Sequence, residues 1–353
     1  MMLEAQRREI ERRFIAYWNG EKQDRCLISL SAPNGCQPPL RPEVELERYW
    51  TDPEVVRRRY LDGCNCNQLF GEALPIFWPN LGPGVLAACL GSPYKFSPNT
   101  VWFTPRPDLE RMDSFEELRI NRQTGMYPAV AKLMDYMARN ARGDYLTAMT
   151  DLGGGLDVAA ELMGTEELLY CMQDDPGRLD ALLEAVDREW AIAYSELHDL
   201  LTPWQQGCSS WLPLWHPGKM YPLQCDLSVM ISPRMFERFA LPSLARQAAQ
   251  LDDAVYHMDG DGEIKHLEMI LSIPRLSAIE WIPVEHDIND PIYYPLYQRI
   301  QRAGVRLILR GIREAHLQSL VEHVDPSALF ITMNAESVQQ AQRIMDRAAC
   351  WCK

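Results

Sequence analysis

The sequence predicts an α/β fold in which eight strands alternate with helices, the pattern of a (β/α)8 TIM barrel. Short apolar runs recur along the 353 residues, and helix-length amphipathic spacers separate them. Strict alternation of this kind predicts a parallel sheet that is covered by helices. No linker, low-complexity tract or repeat divides the chain, so residues 1–353 are expected to form one domain. Alternation alone does not establish closure, and a doubly wound open sheet is the alternative architecture.

Each predicted strand is a short apolar run that ends at polar residues or at a segment rich in Gly and Pro. The first run, for example, stops at Pro33-Asn34-Gly35, a sequence typical of a turn. The ends of these runs matter most, because functional residues of such folds follow the carboxyl ends of the strands. The predicted strands are 26–32, 73–78, 144–150, 207–215, 254–259, 278–284, 305–310 and 328–333.

Helices are predicted where apolar residues recur at intervals of three and four between these runs. An amphipathic, charge-rich helix from Leu3 to Trp18 precedes the first strand as an N-terminal extension. Ser232-Pro233 has the composition of a helix start, and that helix is expected to run to about Ala249. The aromatic segment 92–106 follows neither period and is interpreted as a loop insertion. The other predicted helices include 52–60, 127–139, 157–163, 166–172, 178–201, 263–271, 295–303, 314–324 and 337–348.

Composition and charge exclude several classes of partner. A hydrophobic content of 47% with 24% charged residues is typical of a globular protein with a sizeable core. The net charge of -14 argues against a nucleic-acid partner, which would require a basic surface. No apolar run approaches the roughly 18 residues of a membrane span, and the first residues form a charged helix, not a signal peptide. A cytoplasmic protein without a membrane partner is therefore expected.

The ten cysteines are scattered along the chain, which favours free thiols over a disulfide framework. Cys64 with Cys66, and Cys350 with Cys352, form Cys-x-Cys pairs. Structural zinc sites are typically built on Cys-x-x-Cys spacing, so these pairs are not predicted to be metal ligands.

Aromatic and acidic residues dominate the predicted strand ends, together with one cation. In a barrel these residues would face one opening, where they would suit an aromatic or extended organic substrate. Trp rings also bury well elsewhere, so aromatic packing is the alternative role for the tryptophans. The predicted substrate-binding residues are Asp151, Trp78, Asn80, Trp211, Trp215, Trp281 and Arg310.

His257 and Asp259 end the fifth predicted strand. Residues two apart on a strand point to the same side, so both side chains can bind one metal ion, with Glu285 or His286 as the candidate third ligand. Without a metal, His257 would act as a proton donor or base beside carboxylates, among them Asp226. The structural alternative is a tight turn at residues 259–262 beside a buried histidine.

Two segments resemble a known superfamily. Residues Leu227–Pro242, followed by His257-x-Asp259-Gly, resemble the uroporphyrinogen decarboxylase superfamily, which also contains corrinoid-dependent methyltransferases. The segment from Asp151 to Asp175-Pro176 resembles the same superfamily. The resemblance extends over about residues 145–333 and implies a (β/α)8 barrel.

Departures from the superfamily's patterns narrow the expected function. Uroporphyrinogen decarboxylases carry an Arg-rich loop after the first strand, whereas residues 31–35 here contain no Arg. Zinc methyltransferases of the superfamily show His-x-Cys-Gly at the fifth strand and a further Cys near the last strand. Here Asp259 replaces the first Cys, and Thr332-Met333-Asn334 lacks the second. A harder site built on His257 and carboxylates is implied, which suits an oxygen or nitrogen substrate.

The resemblance implies a methyltransferase of one-carbon metabolism. It would move a methyl group between a small methylated substrate and a corrinoid on a partner protein. His257 and Asp259 would hold a divalent metal such as zinc or protonate the leaving heteroatom, while Asp226 and Asp151 would orient the substrate. One alternative is a decarboxylase or lyase that binds a carboxylate through Arg310, and another is a non-catalytic tetrapyrrole- or corrinoid-binding protein. Assembly as a homodimer is an expectation that the sequence leaves open.

Overall fold

A computed structural model describes residues 4–37, 39–40, 43–112 and 114–348, so the predicted pair Cys350 and Cys352 lies outside the described residues. The strands are β1 (Leu27–Pro33), β2 (Asn67–Gly71), β3 (Ile76–Phe77), β4 (Tyr94–Phe96), β5 (Val101–Phe103), β6 (Leu146–Thr147), β7 (Met220–Gln224), β8 (Asp253–Asp259), β9 (Leu276–Ile282), β10 (Arg306–Arg310) and β11 (Leu329–Asn334). Most predicted strands are present, with ends shifted by a few residues.

The α-helices alternate with most of these strands, as predicted, and short 3-10 turns such as Asp226–Met230 and Asp261–His266 extend the connections. None of the described helices has both the length and the apolarity that crossing a bilayer requires. The helices are α1 (Glu4–Asn19), α2 (Leu46–Thr51), α3 (Pro53–Cys64), α4 (Leu86–Cys89), α5 (Met126–Ala141), α6 (Gly155–Met163), α7 (Thr165–Asp174), α8 (Pro176–Leu201), α9 (Pro233–Met235), α10 (Leu241–Ala248), α11 (Leu267–Leu271), α12 (Tyr294–Arg302), α13 (Glu314–His323) and α14 (Val338–Ala348).

The central sheet is mostly parallel. Within the described residues its strands lie in the order β2-β1-β11-β10-β9-β8-β7, and β2, antiparallel to β1, is the exception. β3 and β6 form a separate parallel pair, and β4 and β5 form a hairpin inside the predicted insertion. The predicted α/β class is therefore confirmed. The hydrogen-bonded ladder stops on either side of the β3–β6 pair, so closure into a barrel stays a prediction.

The prediction of a strand at residues 207–215 is wrong. This segment is a loop that one antiparallel bridge, between Cys208 and His216, closes on itself. The strand lies further along the chain, as β7, where Pro222 interrupts the apolar run that would otherwise indicate a strand. Proline cannot donate to a ladder, and β7 accommodates it because it pairs with β8 on one side and forms an edge of the sheet.

The amino-terminal ends of the strands are sealed by α1. Phe14 packs in one apolar cluster with strand residues such as Val255, Ile308 and Phe330, all fully buried. At the end of α1, Trp18 Nε1 donates a hydrogen bond to the carbonyl of Trp215 at 2.8 Å. The opposite, carboxyl ends of the strands are thereby left as the edge where a ligand can enter.

Candidate active site at the carboxyl ends of the strands

The candidate site is organised by His257 and Glu280 on neighbouring strands. These two residues are paired in the register of β8 and β9, so their side chains lie on the same face. His257 Nδ1 lies 2.5 Å from Glu280 Oε2. Glu280 is fully buried, and Arg310 on β10 donates to its other oxygen at 3.2 Å. Glu280 therefore occupies Nδ1 of the imidazole and leaves Nε2 available to a ligand.

Asp226 and Asp259 lie beside this imidazole. One ligand atom from each of Asp226, His257 and Asp259 lies within 4.8 Å of the other two. Asp259 is the last residue of β8, with Oδ2 at 4.0 Å from His257 Nε2. Asp226 begins the 3-10 turn after β7, and its backbone N–H donates to Asp157 of α6 at 2.9 Å. Two separate segments, the end of β8 and the turn after β7, therefore converge on one position.

The neighbouring carboxylates determine the charge of His257. Burial opposes protonation of the ring, but the hydrogen bond and charge of Glu280, with the charges of Asp226 and Asp259, raise the pKa of His257 to about 9. Loss of hydration raises the pKa of Asp226, and the charge of Asp259 acts in the same direction, against the effect of His257. At neutral pH the metal-free site therefore contains an imidazolium among carboxylates.

Two further carboxyl groups, those of Asp151 and Glu263, lie near these residues. Asp151 is buried, accepts hydrogen bonds from Gly153 N at 2.9 Å and from the Tyr221 hydroxyl at 3.4 Å, and has its pKa raised to about 6, mainly by burial. Glu263 accepts from the Tyr256 hydroxyl at 2.7 Å and from Asp259 N at 3.1 Å. Burial raises the pKa of Glu263 to about 8. The carboxyl group of Glu263 thus holds the backbone of Asp259 in place.

Two further acids lie on α6 near Asp151. Burial, followed by the charge of Asp226, raises the pKa of Asp157 to about 7. Burial, with the charges of Asp157 and Asp151, raises the pKa of Glu161 to about 9. Glu161 Oε2 is enclosed and has no hydrogen-bond partner among the described residues. These neighbours therefore favour the protonated, neutral form of Glu161.

Glu161→Gln is expected to reduce the loss of stability at alkaline pH. A pKa that is higher in the folded state means that the native protein binds the proton more tightly, so stability falls as pH rises from the unfolded value towards about 9. The free energy of unfolding of the wild type should fall relative to the variant, by up to about 1.4 kcal/mol for each pH unit. Urea unfolding at about pH 5 and about pH 8 measures this difference. The exposed Glu167→Gln on α7 is the control, and equal slopes in wild type and Glu161→Gln would contradict the expectation.

Two of the predicted tryptophans lie at this site. The Trp211 ring is edge-on to His257, with ring centroids 6.2 Å apart, and its centroid is 6.4 Å from that of Trp78. Asn80 lies in the loop after β3, where Oδ1 accepts from Gly82 N at 3.2 Å. Trp78 and Trp211 are therefore placed to form an aromatic wall beside the imidazole.

Three predicted site residues lie elsewhere. Trp215 is buried in the apolar cluster beneath α1, at the amino-terminal ends of the strands. Trp281 is fully buried and packs edge-on against Tyr293 at 5.3 Å, because it is on the opposite face of β9 from Glu280. Glu285 is exposed beyond the end of β9 and is not among the three residues whose ligand atoms converge. Asp226, and not Glu285, is brought to His257 and Asp259.

Comparison with known proteins identifies a shared fold. No protein-family model matches the sequence, and no curated protein matches it. Among solved structures, a methyltransferase from Methanosarcina mazei is similar, with a TM-score of 0.61 over 97% of this chain and 98% of the other. The two sequences are 12% identical. At this identity the likeness establishes the fold alone.

Proposed function

We propose that this chain is a methyltransferase that moves a methyl group between a small methylated compound and a corrinoid carried by a partner protein. The observation that supports it most is the convergence of Asp226, His257 and Asp259 at the carboxyl edge of the sheet. Glu280 holds the imidazole in this arrangement. The similarity in fold to the Methanosarcina mazei methyltransferase agrees with the proposal.

The proposal includes membership of the uroporphyrinogen decarboxylase superfamily and closure of the strands into an eight-stranded barrel. The parallel pairing of β1 with β11, the first strand with the last, supports closure. A hydrogen bond from Met149 N to Ser209 O at 2.9 Å supports it further, because it joins the segment after β6 to the loop before β7.

A divalent metal ion, with zinc as the candidate, fits the donor set. The group offers one imidazole nitrogen and carboxylate oxygens, and it contains no thiol. A carboxylate bound to the far nitrogen of the imidazole, as Glu280 is here, is the usual outer-shell partner of a metal-binding histidine. When bound, the metal would supply a Lewis acid and the corrinoid a nucleophile for the methyl group.

The residues of the chain have defined tasks in this reaction. In the metal-free state the imidazolium of His257 would donate the proton on its Nε2 to the substrate heteroatom as the methyl group departs. Asp226 and Asp259 would orient the polar end of the substrate, and Trp78 and Trp211 would exclude water from its apolar part. A metal and a proton compete for the same nitrogen, so the two roles of His257 are distinguishable by experiment.

The decarboxylase alternative depends on Arg310 as the residue that binds the substrate carboxylate. Arg310 donates to the buried carboxylate of Glu280, which offsets its positive charge. This contact argues against Arg310 as the residue that binds a substrate carboxylate. A non-catalytic tetrapyrrole- or corrinoid-binding protein would instead bind its ligand tightly without turnover, and equally well after His257→Ala.

Methyl-transfer assays test the proposed activity. Purified protein is incubated with a reduced corrinoid and a panel of methoxylated compounds and methylamines, and methylation of the corrinoid is followed by its absorption spectrum. Activity with one class of substrate supports the proposal, whereas a silent panel together with tight corrinoid binding favours the binding protein.

Metal analysis of the same preparation tests the metal site separately. A stoichiometric metal that is lost in the His257→Ala, Asp259→Ala double variant supports it. Activity in a preparation that contains no metal, in wild type, would assign His257 to proton transfer instead.

A further inference from the structure

Two cysteines from different segments meet after the carboxyl end of β1. Asn34 N donates to Cys66 O at 3.1 Å, and Asn34 Nδ2 donates to Asn65 O at 2.8 Å. Cys36 N donates to Asn34 Oδ1 at 3.0 Å, which forms a turn directly after β1. The thiols of Cys36 and Cys66 are close enough to interact.

Cys64 and Cys66, the Cys-x-Cys pair of the sequence, have different neighbours in the structure. Cys64 lies near the Tyr60 hydroxyl, whereas Cys66 lies near Cys36 and donates to Asp62 O at 3.3 Å. Cys36 is exposed and Cys66 is buried. An accessible thiol with a second cysteine nearby can be oxidised first and then trapped as a disulfide by its neighbour.

We infer that Cys36 and Cys66 form a reversible disulfide when the protein meets a peroxide. The Cys36 thiolate attacks one oxygen of hydrogen peroxide; the S–O bond forms, the O–O bond breaks, and the released hydroxide takes up the proton that the thiol had lost, which gives a sulfenic acid and one water. The sulfur of Cys66 then attacks the sulfenic sulfur; the S–S bond forms, the S–O bond breaks and a second water leaves. Two thiols are oxidised by two electrons in total, and the peroxide is reduced to two waters.

The cross-link would join the loop after β1 to the segment that leads into β2. Strand β1 is parallel to β11 and to the strands beyond it, so this loop lies at the same edge of the sheet as His257 and Asp259. The disulfide would therefore fix one side of the rim of the candidate site. The inference depends on the thiols alone and is independent of the proposed methyl transfer.

Limited oxidation of the full chain tests the inference. Fully reduced protein receives one equivalent of hydrogen peroxide, is alkylated under denaturing conditions and is analysed by intact mass and peptide mapping. Wild type is expected to lose two alkylatable thiols and to yield a peptide pair linked through Cys36 and Cys66. Dithiothreitol should restore both thiols.

Cys64→Ser is the matched control, because Cys64 is exposed and belongs to the same motif. This variant should form the linked peptide as wild type does, whereas Cys36→Ser and Cys66→Ser should not. Cys66→Ser keeps a hydroxyl that can donate to Asp62 O, and Cys36→Ser changes an exposed residue, so both are expected to fold; circular dichroism verifies this. Over-oxidation of Cys36 without a cross-link, or a linkage through Cys64, would overturn the inference.

Discussion

Glu280→Gln is expected to lower the pKa of His257 from about 9 to below ~6.5 in the metal-free protein. The variant keeps the size of the side chain but removes the negative charge that favours the imidazolium. Burial of the ring, which favours the neutral form, is then opposed by Asp226 and Asp259 alone. A titration of the His257 ring protons by NMR measures the shift. The rate of methyl transfer should fall by about 10–100-fold, the usual cost of losing an outer-shell partner.

Glu285→Gln is the control for this substitution, because it removes the same charge from an exposed position beyond the end of β9. It should leave the pKa of His257 and the rate close to those of wild type. A value near 9 in Glu280→Gln would mean that Asp226 and Asp259 alone keep the ring charged. Thermal unfolding of both variants separates a local change of charge from a loss of folding.

The end of β8 could be located from the sequence because one apolar run carries it. Val255 and Tyr256 lead directly to His257 and Asp259, and glycines stop the strand there. The structure places both residues at the carboxyl edge, together with Asp226, which precedes the Ser232-Pro233 helix start in the sequence. Local pattern was sufficient here because each of these residues lies next to a break in secondary structure.

The sequence of β9 alone does not show whether Glu280 or Trp281 points into the candidate site. Successive side chains on a strand point to opposite faces, so a difference of one residue decides which of the two reaches the site. The register of β8 with β9 shifts between Ala254 and Val255, and this irregularity sets His257 opposite Glu280. A carboxylate inside an apolar run was the available signal, but the pairing that gives it meaning is a property of two strands.

Asp226→Asn is expected to weaken binding of a divalent metal more than the ~10–100-fold that loss of an outer-shell partner costs, because it removes a charged ligand. Asp259→Asn should behave in the same way, and Glu285→Gln should bind as wild type, since its carboxylate is outside the converging group. Competition with a chelator, starting from metal-free protein, measures these affinities.

The reverse order, a loss in Glu285→Gln and none in Asp226→Asn, would contradict the site. Affinity in wild type should also rise with pH up to about 9, because the proton on His257 must leave before its nitrogen can bind. A metal held elsewhere would not follow the titration of this residue. The pH dependence therefore connects the metal to His257 without any assay of activity.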